Sequence, residues 1–174
     1  MEICLLPIGS VDREILDFLR DRLKNVFGDC RILETKEIPF SAFNTARNQY
    51  NSTRILIEIE PVCDVVLGVT EVDIYADNLN FVFGEAEIDG RRALISLKRL
   101  RPEFYGLEPN YELLKIRTLK EAMHEIGHVL GLLHCRNKCV MRFSNSIVEV
   151  DYKDWKYCES CIQKLRKRGI ILNI

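Results

Sequence analysis

The chain has 174 residues, 47% of them hydrophobic and 29% charged, a composition that supports one buried core and excludes wholesale disorder. The formal net charge is -1 and the pI is near 6.3, so no global attraction to nucleic acid or to an anionic membrane is expected. No apolar run approaches the ~20 residues that cross a bilayer, and Glu2, Pro7 and Gly9 spoil any secretory leader, so the expectation is a cytoplasmic protein with reduced cysteines.

In chain order, residues 2–9, EICLLPIG, read as a short buried strand. Residues 10–28 read as an amphipathic helix, capped by Ser10 or Asp12 and ended by Gly28, with Ile15, Phe18, Leu19, Leu23, Val26 and Phe27 on one stripe. Residues 30–38 make a second strand, and the strand–helix–strand order predicts that the two strands are parallel. Residues 39–51, PFSAFNTARNQYN, look polar and loop-like. Residues 52–62 fit a short helix ended near Pro61, or a strand; the helix is favoured because 64–70, DVVLGVT, makes the better strand. Residues 79–97 form a predicted hairpin around Asp89-Gly90, a dipeptide suited to a tight turn. After a loop at 98–109, a long helix runs from a cap at Asn110 to Gly131, with Leu114, Leu119, Met123, Ile126 and Leu130 on its apolar face. A last helix is predicted from Asp151 to Gly169, closed by the basic run KLRKRG, where cations complement the helix dipole. The fold class is therefore α/β (α+β): a twisted mixed sheet of about five strands with backing helices, and a small irregular C-terminal lobe.

The chain has only three histidines, and all fall within eleven residues, in HEIGHVLGLLH from His124 to His134. His124 and His128 are one helical turn apart on one face, so both imidazoles can reach one ion. Gly131 lets the helix end in the left-handed region and the chain swing back, bringing His134 from a third direction. Three neutral nitrogens with one open position make a catalytic rather than a structural zinc site. Glu125 adjoins the first ligand, where a carboxylate serves as general base to the attacking water. A chance match to H-E-x-x-H-x-x-G-x-x-H in a chain of this size is on the order of one in 10^5 or rarer, so two unrelated surface histidines explain the pattern poorly.

Cys135, Cys139, Cys158 and Cys161 form two close pairs eighteen residues apart. Seven cysteines cannot all pair within one chain, and two such pairs have the layout of a four-thiolate structural zinc site. Buried free thiols are the plainer alternative. Cys4, Cys30 and Cys63, isolated in apolar surroundings, read as ordinary core residues.

The histidine motif, Cys135 directly after it, then Cys139, Met141 and the distant Cys158-x-x-Cys161, together with RNQYNSTRIL, LGVTEVDIY and LNFVFGEA, resemble the archaemetzincin family of metzincin zinc metallopeptidases. The resemblance covers most of the chain. It implies a metzincin-like fold over residues 1–174, with the sheet and active-site helix in 1–131 and the methionine turn and last helix in 132–174. It implies a catalytic zinc on His124, His128 and His134, Glu125 as the general base, and Met141 as an apolar floor beneath the ligands. A second, structural zinc would sit on Cys135, Cys139, Cys158 and Cys161, giving two ions per chain. Residues 79–85 would be the upper rim of a cleft in which an extended peptide adds as a strand, which an open sheet edge also allows on physical grounds. The expected protein is a monomeric peptidase, with aminopeptidase action on short peptides one form of it. A metal-dependent peptide-binding protein with little turnover is the alternative, against which Glu125 argues. Cys135, next to a ligand, has a thiolate able to block the open position. Arg101, Tyr105, Tyr111 and Asp73 are polar candidates to which the sequence gives no place.

Overall fold

The computed structural model describes residues 1–174. The first strand, β1 (Glu2–Ile8), leads into helix α1 (Arg13–Phe27) and then β2 (Asp29–Ile32). Asp12 caps α1, accepting from the backbone N–H groups of Glu14 and Ile15, and Gly28 closes it at a positive φ that a side chain disfavours. Two short strands follow, β3 (Phe43–Asn44) and β4 (Gln49–Asn51), then helix α2 (Ser52–Leu56) and β5 (Val65–Thr70). The remaining strands are β6 (Ile74–Tyr75), β7 (Gly84–Ala86) and β8 (Arg92–Ser96), and the helices α3 (Tyr111–Val129), α4 (Ile147–Tyr152) and α5 (Glu159–Lys167). No helix is long and apolar enough to cross a membrane.

The main sheet has the order β2-β1-β5-β8-β7. Its first four strands are mutually parallel, as the β1–α1–β2 unit predicts, and β7 lies antiparallel to β8 at the edge. Central strands are buried on both faces, which is why β1 and β5 read as unbroken apolar runs rather than alternating ones. Ile3, Leu5, Val65, Leu67 and Val69 face the larger core, shared with α1 and α3. Cys4, Leu6, Ile8 and Val66 face a smaller core under α2. Val140, Met141, Val150, Tyr157 and Leu165, from the C-terminal part, join the larger core.

Five sequence expectations need correction. Residues 39–51 are not simply a loop: β3, β4 and β6 form a second, three-stranded sheet. The polar look of that stretch comes from side chains that work inside it, since Gln49 bonds Asp73 and Asn51 caps α2. The rim predicted as a strand over 79–85 is a strand only at β7. Upstream, the carbonyls of Leu79 and Asn80 accept from Arg47 Nη2 (2.6 and 3.1 Å), and that of Asn80 also from Gln49 Nε2 (2.9 Å), so side chains replace the ladder there. The hairpin exists, but its turn is wider than Asp89-Gly90: Ala86 pairs with Ala93, and of the two turn residues only Asp89 has positive φ. Its tip is caught by α3, with Asp89 N donating to His128 O (3.0 Å). The last helix is broken in two, because the chain leaves α4 at Lys153, turns Lys153 and Tyr157 into the interior, and restarts with Cys158 as the cap of α5. Cys4 and Cys63 are joined in a disulfide, with Cα atoms 6.1 Å apart, rather than being plain reduced core residues. Parallel pairing sets Ile3 opposite Val65, so the turn entering β5 lies over the start of β1 within reach of Cys4.

Candidate active site

Helix α3 is capped by the Asn110 side chain, which accepts from Leu113 N, and is buried along most of its length. It stops just before Gly131, whose φ of 95° reverses the chain, with Gly131 N donating to His128 O and Leu132 N to Gly127 O. The reversal returns His134 over the helix, and the three histidines place ligand atoms within 4.8 Å of one another. His124 Nδ1 lies 2.7 Å from Val140 O and His128 Nδ1 lies 2.8 Å from Leu132 O. A carbonyl only accepts, so each Nδ1 carries the hydrogen and each Nε2 presents a lone pair to the shared point. The two Nε2 atoms are 3.2 Å apart, close to the roughly 3.3 Å separating two nitrogens on one tetrahedral zinc. Burial first, then Lys153 and His128, hold His124 well below the ordinary imidazole range, and burial lowers His128 and His134 too, so all three favour the neutral, ligating form. The donor set fits zinc.

Met141 is fully buried and packs against α3 at Gly127. A Cβ at Gly127 would come within 2.3 Å of its sulfur, so the glycine between the first two histidines is what lets the methionine turn pack against α3. Glu125 lies in the floor of the same cleft, 5% exposed. Burial pushes its carboxyl up, as does Glu121 beside it, while Lys153 opposes both. Edge strand β7 passes directly over it: a Cβ on Gly84 would sit 2.8 Å from Glu125 Oε1 and 2.6 Å from Leu94 O. Gly84→Ala should therefore displace the carboxylate or the strand. We expect a fall in kcat on the order of 10²-fold, with zinc content unchanged by elemental analysis; a fully active alanine variant would show that β7 has room to spare.

The four cysteines predicted to cluster do so, again within 4.8 Å. Cys135 Sγ to Cys158 Sγ and Cys139 Sγ to Cys161 Sγ are each 3.8 Å, the spacing of about 3.8 Å expected for two thiolates on one tetrahedral zinc. Cys139 Sγ accepts from Met141 N and Cys158 N, and Cys158 Sγ from Asn137 Nδ2. Burial acts to raise the Cys158 thiol, but the hydrogen bond from Asn137 and those from the neighbouring cysteines outweigh it and bring the thiol down to about 6. Cys135 belongs to this cluster and faces Cys158.

The other polar candidates hold the scaffold. Arg101 pairs with Glu71, Asp73 with Arg99, and Tyr105 donates to Arg99 O. Tyr111 opens α3 and packs against the larger core. None of them lines the cleft, a cavity of about 330 Å³ bounded by the histidines, Glu125 and the β7 rim. Sequence reasoning missed Glu121, Phe143, Ser144 and Lys153, which do line it. Glu121 was within reach, since it lies one turn before Glu125 on the same helix face. Lys153 gave no signal, because its place depends on the break after α4.

The sequence pattern of Peptidase family M54 matches residues 8–167. The archaemetzincin of Methanocaldococcus jannaschii is 65% identical over 175 residues, covering 100% of this chain and 98% of its own. That of Pyrococcus furiosus is 47% identical, covering 95% and 93%. Among solved structures, the Archaeoglobus fulgidus archaemetzincin complexed with malonate superposes with a TM-score of 0.87 at 45% identity, over 94% of this chain and 99% of that one. A zinc-dependent peptidase from Methanocorpusculum labreanum gives 0.85 at 28% identity, over 94% and 99%. Two ligand clusters with zinc spacing, an edge strand over a buried glutamate, and relatives matched from end to end lead to one conclusion: the chain belongs to the archaemetzincins of peptidase family M54 and is a zinc metallopeptidase.

Proposed function

We propose that the enzyme hydrolyses short or unfolded peptides bound as an extra strand on β7. In this reading His124, His128 and His134 hold the catalytic zinc, and Cys135, Cys139, Cys158 and Cys161 hold a structural one. The observation that carries it is the stacking of parts: an unpaired sheet edge at β7 lies directly above Glu125, beside three converging histidine nitrogens. When bound, the catalytic zinc polarises a carbonyl and lowers the pKa of water toward ~7. The chain does the rest. The backbone of β7 lines up the peptide. Glu125 takes a proton from the attacking water as its oxygen adds to the carbonyl carbon, and passes it to the amide nitrogen as the C–N bond breaks. Rim residues Leu79, Ile88 and Phe143, each more than half exposed, give apolar side chains of the peptide a surface to lie on. Only an extended chain can pair with an edge strand, so folded proteins are poor substrates.

Zinc-loaded protein incubated with a diverse peptide library, read by mass spectrometry, should yield cuts that a chelator abolishes. The same data separate release of single N-terminal residues, the aminopeptidase form, from internal cleavage. A library left intact by zinc-loaded protein would overturn the reading.

A further inference from the structure

One end of the cleft is polar in a way that hydrolysis alone does not require. Only three buried side-chain polar atoms in the chain have no hydrogen-bond partner: Thr70 Oγ1, Glu121 Oε1 and Ser144 Oγ. Glu121 and Ser144 both line the cleft. Glu121 is 3% exposed, and its Oε1 lies 3.5 Å from Lys153 Nζ, an ion-pair contact without a hydrogen bond. Lys153, 2% exposed, also lines this wall, and its ammonium donates to Arg142 O at 3.2 Å. Its 3.4 Å approach to His124 Nδ1 is not a second hydrogen bond, because that nitrogen carries the hydrogen it gives to Val140 O. The wall thus offers two unused acceptor sites and an ammonium with donors to spare. Buried polar groups without a protein partner are uncommon and costly, and here Glu121 and Ser144 both turn such an atom to the cleft, where a bound group can pair it.

The chemistry narrows the partner. A carboxylate would face Glu121 and an ammonium would face Lys153, each a like-charge contact at short range. An apolar side chain would leave Glu121 Oε1 and Ser144 Oγ unpaired. A neutral group that both donates and accepts satisfies them together. We propose that this end of the cleft is a side-chain subsite for a primary carboxamide, so that the enzyme prefers peptides with glutamine or asparagine beside the cleaved bond. The amide NH₂ donates to Glu121 Oε1 and Ser144 Oγ, and the amide oxygen accepts from Lys153. Glu121, Ser144 and Lys153 are then the specificity-determining residues. The inference rests on the reading of the cleft as a peptidase site, but binding can test it without turnover.

The probes are two peptide hydroxamates that differ only in the side chain next to the chelating group, 2-carbamoylethyl in one and isobutyl in the other. Zinc-loaded wild type should bind the carbamoylethyl compound at least about tenfold tighter, the scale of one or two neutral hydrogen bonds. Ser144→Ala should cut that ratio about threefold or more. Glu121→Met combined with Lys153→Met replaces a buried ion pair by apolar side chains, a change often tolerated or stabilising, and should reverse the preference toward isobutyl. Thermal melting verifies that the double variant is folded; if it is not, the Ser144→Ala ratio decides. Equal affinities in wild type, no binding of either compound, or an unchanged ratio in both folded variants overturns the subsite. A clear carbamoylethyl preference in a protein that cleaves no peptide would uphold the subsite and sink the peptidase reading.

Discussion

Glu125→Gln should abolish nearly all hydrolysis while leaving both zinc sites filled. A general base typically contributes 10²–10⁴-fold, and the amide keeps the size of the carboxyl but cannot take up the water's proton. The isostere matters here. Glu125 is packed against Gly84 of the edge strand, so a truncation to alanine would also open a hole in the cleft floor and mix two effects. The carboxylate is buried beside Glu121, and an uncharged replacement relieves that repulsion, so the thermal midpoint should not fall. The measurement is a peptide-cleavage rate paired with elemental analysis of the same sample. Cleavage by the glutamine variant within a fewfold of wild type would remove Glu125 from the chemistry and point to a contaminating activity or another base.

Cys158→Ser should cost more stability than His128→Ala, although the histidine is nearer the chemistry. The thiol cluster ties the loop after His134 to the start of α5, because Cys135 and Cys139 come from one and Cys158 and Cys161 from the other. Structural zinc contributes folding energy directly, on the order of 10 kcal/mol in small zinc domains, so losing one thiolate should cost about 3 kcal/mol and lower the midpoint by roughly 6–12 °C. His128 sits on a helix already held by the larger core, and its loss should remove one zinc with a smaller shift. The cysteine variant should lose activity too. Val140 O orients the His124 ring, Cys135 N donates to Met141 O, and Val140 N donates to Lys156 O, so the segment the cluster holds is the one that aims His124, the proposed first ligand. Amide exchange should quicken first from Leu132 onward while the β7–β8 hairpin stays protected. A Cys158→Ser protein with wild-type zinc content and wild-type melting would show that the cluster is not a metal site.

The two side-chain clusters were legible from the amino acids. The turn-spaced His124 and His128, the helix stop at Gly131, the return of His134, and the paired cysteines each follow from residue spacing on a known backbone geometry, and the structure gathers each set within ligand reach. The parallel β1–α1–β2 unit and the doubly buried β1 and β5 were legible for the same reason, because burial on two faces leaves an unbroken apolar run. What the sequence could not show depends on contacts between distant segments. Gln49, Asn51 and Arg47 look like loop residues until Asp73 and the carbonyls of residues 79 and 80 are placed opposite them. The break between α4 and α5 runs against local periodicity, since it is decided by where Lys153 and Tyr157 are buried. Cys4 meets Cys63 only because β1 and β5 are neighbours. The polar end of the cleft is the sharpest case: Glu121, Ser144 and Lys153 come from three separate parts of the chain, and Glu121 Oε1 and Ser144 Oγ are left without a partner only because the tertiary structure buries them there. Spacing along one helix or one short loop is written in the sequence; partnership, and the lack of it, across the core is not.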